Sequence, residues 1–418
     1  MSQQAQVFLR QLFQRAVEVA DPMKSLAAHL PEKPEGRVVV IGAGKASARM
    51  AEAVEFAWGP CEGLVITRYG YARPCEGIEI IEAAHPVPDE AGRDATRRLL
   101  EYLQGLGEND QVLALISGGA SSLLIAPAGN ITLAEKQGVN QKLLSSGAPI
   151  GQMNVVRKHL SNVKGGQLAA VAYPAKMLAL LLSDVPGDDP AEIGSGPTVG
   201  DLSAANDAKA ILERWKIDVP ASVKDVLAKP SGVLRPDAPE LSKVTNKIFA
   251  APSQSLEAAR QLATENGCEV EILGDALEGE AREVAEAQAA LALKRKAERT
   301  SADKPLVLMS GGELTVTRRG SGIGGPNAEY ALALALALDG AEGVHAIACD
   351  TDGVDGAAEV AGAVIGPNTL SKARAAGHSP EKALAENDAH GFFDRIGDQV
   401  VTGPTLTNVN DFRAILIQ

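Results

Sequence analysis

A lysine that follows two glycines at the end of an apolar run has the chemistry to bind a phosphate group. Residues 38–41 are typical of a buried parallel strand, and Gly42 and Gly44 let the backbone turn tightly beside an anion. The helix expected after this turn directs free N–H groups toward that anion, and Lys45 adds a point charge. Gly44, Lys45 and Ser47 are therefore candidates for holding a dinucleotide or for transferring phosphate.

This loop matches neither common nucleotide fingerprint completely. The dinucleotide pattern requires glycine or alanine where Ser47 stands and an acidic residue at the end of the second strand, where Arg68 stands. Arg68 could accommodate a 2′-phosphate, so an NADP site stays open. A P-loop requires serine or threonine after the lysine, but Ala46 follows it. Close strand–helix packing by the two glycines is a third interpretation.

A second loop, after the apolar residues 112–116, is rich in glycine and serine. Its N–H groups and hydroxyls can form a nest for phosphate or carboxylate, although the serines could instead cap a helix. The candidates in this loop are Ser117, Gly118, Gly119, Ala120 and Ser121.

A third loop places three carboxylates within six residues, between two prolines. Asp184, Asp188 and Asp189 repel one another, and a cation or a lysine would compensate that repulsion. Asp188 and Asp189 are therefore candidate metal ligands or catalytic bases. The alternative is that they are solvated turn residues.

Polar loops in the second half of the chain supply further candidates. The glycine-rich residues 320–325 precede a predicted helix and suit a nucleotide phosphate tail or a mobile lid. The loop at 350–356 resembles an EF-hand only superficially, since Val354 stands where a ligand is required. The candidates here are Gly312, Glu313, Asn327, Glu329, Asp352, Thr405, Asn408 and Asn410. His85, which follows the third predicted strand, is a further ligand candidate.

Composition limits the class of protein. The 418 residues suffice for two domains, and the net charge of −13 together with 3% aromatic residues makes nucleic acid an unfavourable partner. No apolar stretch reaches the roughly 20 residues that a membrane span requires. Residues 1–20 form an amphipathic helix without a signal-peptide core, so we expect a cytoplasmic protein with four reduced cysteines.

Strands and helices alternate along the chain, which predicts an α/β fold with a doubly wound, Rossmann-like parallel sheet in the first half. Strands are predicted at 37–41, 63–67, 78–82, 111–116 and 177–182, then at 245–250, 268–273, 305–309 and 343–348. Helices are predicted at 46–57, 89–104, 133–146, 254–265, 278–297 and 327–338. Proline, glycine and charge at 230–241 predict a boundary between an N-terminal domain, 1–235, and a C-terminal α/β domain, 236–418.

Together these loops resemble the glycerate 2-kinase family, whose C-terminal part is the MOFRL domain and some of whose members are labelled hydroxypyruvate reductase. The resemblance covers almost the whole chain and is carried by the loops at 42–47, 117–121, 183–189, 194–198 and 402–411. Many members have an arginine where this chain has Pro326. Its role would then be missing here or moved to Arg318, Arg319 or Arg282.

The resemblance implies a two-domain enzyme with its site in the cleft between the domains. It also implies ATP-dependent phosphorylation of D-glycerate to 2-phosphoglycerate with Mg²⁺. Lys45 would neutralise the transferred phosphate, Asp188 or Asp189 would bind Mg²⁺ or act as the base, and the loop at 117–121 would hold an anion.

Two other functions stay open. One is an NADP-dependent hydroxypyruvate reductase, and the other is a non-catalytic protein that binds a sugar acid. The sequence also leaves open whether two copies of the chain form a homodimer.

Overall fold

The computed structural model describes residues 2–356 and 358–418. The chain forms two compact units. The segment ending at Lys24 and Ala250–Gln418 form one, here called the two-segment unit, and Ser25–Phe249 form the other, here called the central unit.

The strands of the described residues are β1 Val38–Ala43, β2 Glu62–Arg68, β3 Ile78–Ala83, β4 Gln111–Ile116, β5 Lys176–Leu182, β6 Val244–Ala250, β7 Glu269–Gly274, β8 Gly279–Glu280, β9 Leu306–Ser310, β10 Leu314–Thr315, β11 Val344–Asp350, β12 Gly362–Ile365, β13 Gln399–Val400 and β14 Asp411–Ile417. The predicted strands are present, with ends shifted by one or two residues.

The α-helices are α1 Ser2–Ala20, α2 Pro22–Ser25, α3 Ser47–Trp58, α4 Glu90–Leu103, α5 Ala120–Leu123, α6 Leu133–Ser146, α7 Ile150–His159, α8 Gln167–Ala172, α9 Ala205–Arg214, α10 Ala221–Leu227, α11 Pro252–Glu265, α12 Ala281–Ala297, α13 Pro326–Leu338, α14 Thr369–Ala375, α15 Pro380–Ala385 and α16 Ala389–Ile396. Short 3₁₀ turns occur at Leu26–His29, Pro186–Asp188, Ile193–Ser195 and Pro239–Leu241. None of the helices described is long and apolar enough to cross a membrane.

The central unit is built on a six-stranded sheet with the order β3-β2-β1-β4-β5-β6. Strands β1 to β5 are parallel to their neighbours, and their apolar side chains are buried, as in a sheet covered on both faces. This confirms the predicted doubly wound sheet. The strand order reverses between β1 and β4, because β2 and β3 are added on one side of β1 and β4 to β6 on the other. Ligands of such sheets bind at this point.

The two-segment unit contains a mixed sheet with the order β13-β12-β11-β14-β9-β7. Strand β14 runs antiparallel to both β9 and β11. The ends of β9 and β11 and the start of β14 therefore meet at one edge of this sheet. The polar loops predicted for the second half of the chain follow or precede these three strands.

The division into units differs from the predicted boundary at 235/236. Strand β6 joins the central sheet beside β5, and Met177 N donates to Lys243 O at 3.0 Å, so the chain stays in the central unit past the proline-rich stretch. Helix α1 buries Leu9, Leu12 and Phe13 among residues of the mixed sheet. Hydrophobic burial thus joins the N-terminal helix to the C-terminal half of the chain.

Candidate active site

The loops that follow β1 and β4 are hydrogen-bonded to each other at the point where the strand order reverses. Lys45 N donates to Gly118 O at 2.8 Å, and Ala46 N donates to Ser117 Oγ at 3.0 Å. The second loop thus accepts the N–H groups of Lys45 and Ala46, and the anion-binding role predicted for the start of the helix that follows stays a prediction. Gly44 has φ +142°, and a Cβ there would lie 2.1 Å from Ser117 Oγ, so only glycine fits.

Ser47 and Ser117 are fully buried within this junction. Ser47 Oγ donates to Leu115 O at 2.9 Å and lies 3.2 Å from Ser117 Oγ. Their hydroxyls therefore fix the two loops relative to each other, which is a positioning role. The binding role predicted for them stays a prediction.

The side chains of Lys45 and His85 both lie against the same face of Gly119. A Cβ placed on Gly119 would lie 3.2 Å from Lys45 Cγ and 3.1 Å from His85 Cδ2. The structure thus brings together a cation and an imidazole that are 40 residues apart in the sequence. No separate signal in the sequence linked His85 to Lys45.

A cavity of about 620 Å³ opens beside this group. Its lining includes His85, Gly119, Ser121, Gln137, Asn140 and Arg157. Another cavity of about 600 Å³ in the central unit, near Pro230, is lined by none of the predicted site residues. The cavity beside His85 is therefore the better candidate for a substrate site.

A chain of polar contacts runs from this cavity to the loop at 193–198. Ser121 Oγ lies 2.8 Å from Ser195 Oγ, and Ser195 Oγ lies 3.4 Å from Asn154 Oδ1. Arg157 Nη1 donates to the same Asn154 oxygen at 3.2 Å. Ser195, Asn154 and Arg157 were missed as site residues, although the dense polar segment at 154–164 is a signal that could have found the last two.

The structure separates the two aspartates that the sequence could not rank. Asp188 adopts φ +54°, and its Oδ1 is buried with no hydrogen-bond partner in the part of the chain that is described. Asp189 is exposed, and its Oδ1 accepts a hydrogen bond from Ala191 N at 2.9 Å. Asp189 therefore stabilises its own turn, whereas Asp188 has unused acceptor capacity. Asp184, the third acid of this loop, is half-buried.

In the two-segment unit, Asp355 organises the start of α13. Its carboxylate accepts from Asn327 N at 2.9 Å and Ala328 N at 2.8 Å and lies 2.9 Å from His390 Nε2. Pro326 occupies the first helical position, where its missing N–H and fixed φ are favourable. The proline therefore has a local structural reason, and the N–H groups at 327 and 328 are already bonded.

Glu329 is fully buried and has internal partners. Arg282 Nε donates to it at 2.6 Å and Asn387 Nδ2 at 2.9 Å, while Asn387 Oδ1 accepts from Arg319 N and Gly320 N. This network fixes the glycine-rich loop. It also occupies Arg282, one of the arginines expected to replace the one missing at 326.

Arg413 was not predicted as a site residue, although it is buried against the loop that follows β9. Its Nη1 donates to Asp411 Oδ2 at 2.9 Å, and its Nη2 donates to Gly311 O at 2.5 Å and to Gly312 O at 3.0 Å. Burial raises the pKa of Asp411 to about 6, against the lowering effects of Arg413 and a 2.7 Å hydrogen bond from Asn327. Glu313 follows directly on this cluster.

The loops at 350–356 and 402–411 are bound to each other. Thr405 N donates to Asp352 O at 3.1 Å, Thr405 Oγ1 to Thr351 O at 2.5 Å, and Thr351 N to Asn410 O at 3.2 Å. Asn408 is buried in the same region. The structure thus collects the candidates of the second half at one edge of the mixed sheet, as the positions of the strands predict.

The part of the chain that is described shows no cluster of three or more acidic, histidine or cysteine side chains able to hold a metal ion.

Comparison with known proteins agrees with this architecture. Residues 8–228 match a family model described as a domain of unknown function, DUF4147, and residues 306–411 match the MOFRL family. A protein of Agrobacterium vitis with a provisional hydroxypyruvate reductase name is 51% identical over 99% of this chain and 94% of its own. The D-glycerate 2-kinase of Thermotoga maritima is 40% identical over 96% of this chain and 95% of its own. A crystal structure of Thermotoga maritima glycerate kinase superposes with a TM-score of 0.89 at 38% identity, covering all of both chains.

Fold and sequence together define an enzyme of the kinase class, for which a small-molecule substrate and a nucleotide are implied. The chain belongs to the glycerate 2-kinase family, as the resemblance predicted.

Proposed function

We propose that the protein transfers the γ-phosphoryl group of ATP to the 2-hydroxyl of D-glycerate, giving 2-phosphoglycerate and ADP. The observation that carries the proposal is the position of Lys45. It follows β1 at the point where the strand order reverses, and its side chain lies against Gly119, which lines the cavity together with His85, in a chain of this family.

Phosphoryl transfer depends mainly on positioning and charge neutralisation. Lys45 would stabilise the negative charge of the transferred phosphoryl group, and the hydrogen-bonded loops at 44–47 and 117–119 would hold this lysine in place. A rigid support of this kind matters because a charge stabilises a transition state best when it need not move.

Asp188 is the residue that fits either a general base or a magnesium ligand. Its buried, unpartnered Oδ1 could accept the proton of the substrate hydroxyl or contact a cation. Mg²⁺ is commonly bound by one or two carboxylates together with substrate phosphates, so this site would not require a larger protein cluster. When bound, the ion would supply charge neutralisation at the phosphates.

The remaining predicted residues are proposed to bind the two substrates. Ser121 and His85 line the cavity, and Glu313, Asp352, Thr405, Asn408 and Asn410 lie in the gathered loops of the two-segment unit. The predicted position of the site, between the two units, stays a prediction.

The competing function is reduction of hydroxypyruvate, which the name of the Agrobacterium vitis relative supports. A pyrophosphate bound as in dinucleotide folds would use the N–H groups at the start of α3. Here Lys45 N and Ala46 N donate to the neighbouring loop instead. Those two N–H groups are not available to a pyrophosphate, and the glycerate kinase relatives favour the kinase.

The test is a pair of assays on the purified chain and on Lys45→Met. We expect the wild type to form ADP only when D-glycerate and a divalent metal are both present, and EDTA to abolish turnover. Lys45→Met should keep its fold but lose on the order of 10²–10⁴ in kcat/KM, since methionine keeps most of the volume and removes the charge. Oxidation of NADPH by hydroxypyruvate without ADP formation would show that the assignment is wrong, and an unimpaired Lys45→Met enzyme would remove Lys45 from the mechanism.

A further inference from the structure

Three basic side chains are buried next to the cavity beside His85. Lys136 and Lys164 are 2% and 1% exposed, and Arg157 is half-buried. Their partners are neutral oxygens, since Lys136 Nζ donates to Leu160 O at 2.6 Å, Lys164 Nζ to Ser121 O at 2.9 Å and Arg157 Nη1 to Asn154 Oδ1 at 3.2 Å.

The neighbouring Lys158 is a buried lysine whose charge is compensated by carboxylates. It is also 1% exposed, but it lies 3.0 Å from Glu192 Oε1 and 2.6 Å from Asp201 Oδ2. Within residues 2–356 and 358–418, no carboxylate lies within 4 Å of the charged nitrogens of Lys136, Arg157 or Lys164. Unpaired buried charge is strongly unfavourable, so a buried basic group without a carboxylate either loses its proton or is compensated by a bound anion.

The three cations act on one another and on the cavity. Burial is the main effect that lowers the pKa of Lys136, to about 7, and of Lys164, and the charge of Arg157 lowers both further. Arg157 lines the cavity directly, and Lys164 is bonded to the backbone of Ser121, which also lines it. Arg157 and Lys164 therefore place positive charge beside the part of the cavity that Ser121 lines.

We propose that the basic side chains of this cavity bind the carboxylate of the substrate hydroxy acid, with Arg157 as the contacting group and Lys136 and Lys164 as positioning residues that supply charge. This inference rests on the proposed function, because it deepens the same site. The planar guanidinium of Arg157 can hold a carboxylate through two parallel hydrogen bonds. Lys45 lies against Gly119, which lines the same cavity, so an acid anchored at Arg157 could place its hydroxyl near the phosphoryl-transfer groups.

The decisive experiment is calorimetric binding of D-glycerate to the full chain without ATP, with glycerol as the probe that lacks the carboxylate. We expect the wild type to bind D-glycerate and not glycerol. Arg157→Gln should weaken D-glycerate binding by on the order of 10-fold or more. Arg157→Lys keeps the positive charge but loses the planar guanidinium, so we expect it to bind D-glycerate with an affinity between those of Arg157→Gln and the wild type. Arg97→Gln is the matched control, because Arg97 is an exposed arginine that lies outside the lining of this cavity and whose Nη1 donates to Glu101 Oε1.

Steady-state kinetics then separate the two substrates. For Arg157→Gln we expect the KM for D-glycerate to rise by the same factor while the KM for ATP stays within about 2-fold. A rise confined to the KM for ATP would overturn the proposal, because the pocket would then hold nucleotide phosphate. Unchanged D-glycerate binding by a folded Arg157→Gln protein, or no D-glycerate binding by the wild type, would overturn it as well.

Failure of the kinase assignment and failure of the carboxylate pocket give different results. If the wild type forms no ADP but still binds D-glycerate through Arg157, the carboxylate pocket stands and the kinase assignment falls. If ADP forms with D-glycerate and Arg157→Gln has no effect on binding or KM, the kinase stands and the pocket falls.

Discussion

At the scale of single residues, the protein contains buried lysines in two electrostatic settings. Lys158 is neutralised by two carboxylates, whereas Lys136 donates to the backbone oxygen of Leu160 and is affected by the charges of other basic groups. The first arrangement is an ordinary buried ion pair. The second destabilises the folded protein, and such a cost is typical of residues kept for binding or catalysis.

Lys136→Met should therefore stabilise the protein in a pH-dependent way. Burial holds the pKa of Lys136 at about 7, below the 10.5 expected for the unfolded chain, so the folded protein carries an unfavourable charge below pH 7. Between these two values the unfolded chain binds more protons, and the penalty declines as the pH rises. We expect the gain in the free energy of unfolding to be larger at pH 6 than at pH 9.5 by roughly 3 kcal/mol.

Urea denaturation at the two pH values measures this difference. Leu160 O keeps a second hydrogen bond from Ala128 N at 3.2 Å, so the substitution leaves that carbonyl partnered. A gain of equal size at both pH values would show that Lys136 is not titrating near neutrality. The same variant should bind D-glycerate more weakly if the carboxylate proposal is correct.

At the scale of elements, loops that follow strands determine what each side chain can do. The turn at Pro186–Asp188 directs Asp188 Oδ1 into a buried position and leaves Asp189 on the surface. A difference of one residue thus separates a carboxylate with unused acceptor capacity from one that stabilises its own loop.

Asp188→Asn should lower kcat by on the order of 10²-fold or more, since it removes either the base or a metal ligand with little change in shape. Asp189→Asn is the matched control, and we expect its kcat to stay within about 3-fold, because the side-chain oxygen that caps Ala191 N is retained. Circular dichroism would show that both variants fold. The opposite ranking would transfer the catalytic role to Asp189.

At the scale of the whole molecule, the chain starts in one unit, builds the other, and then returns to the first. Helix α1 joins the C-terminal half through a shared core, in which the rings of Phe13 and Phe412 lie 6.1 Å apart. The stability of the mixed sheet therefore depends on residues almost 400 positions away in the sequence.

Leu12→Ala should lower the free energy of unfolding of the two-segment unit by about 2–5 kcal/mol, because it leaves a cavity in this core. Val7→Ala, on the same helix but 50% exposed, should cost less than about 0.5 kcal/mol. Hydrogen exchange should show faster exchange in β14 for Leu12→Ala and an unchanged rate in β1 to β5. Faster exchange in the central sheet alone would contradict the observed division into units.

Much of the fold was readable from local patterns. Apolar runs ending in glycine or polar loops predicted all six strands of the central sheet and β7, β9 and β11 of the mixed sheet, and the amphipathic segment at the N-terminus predicted α1. Strands β12, β13 and β14 of the mixed sheet were not predicted. The edge of the sheet at which chemistry should occur followed from the same patterns, because parallel strands present their carboxyl ends together. The family followed from the order and spacing of the loops.

The sequence by itself determined the strands of the central sheet, half of those of the mixed sheet and the loops that carry polar chemistry, because these properties depend on residues close together in the chain. Only the tertiary structure decided how those polar groups are used. The N–H of Ala46 is accepted by a serine 71 residues away, Glu329 is occupied by Arg282 and Asn387, and the N-terminal helix belongs to the C-terminal unit. Lys136, Arg157 and Lys164 likewise become a basic cluster only when α6, α7 and the loop before α8 pack around one cavity. Hydrogen-bond pairing and burial are set by neighbours in space, and in this protein the decisive neighbours are distant in the chain.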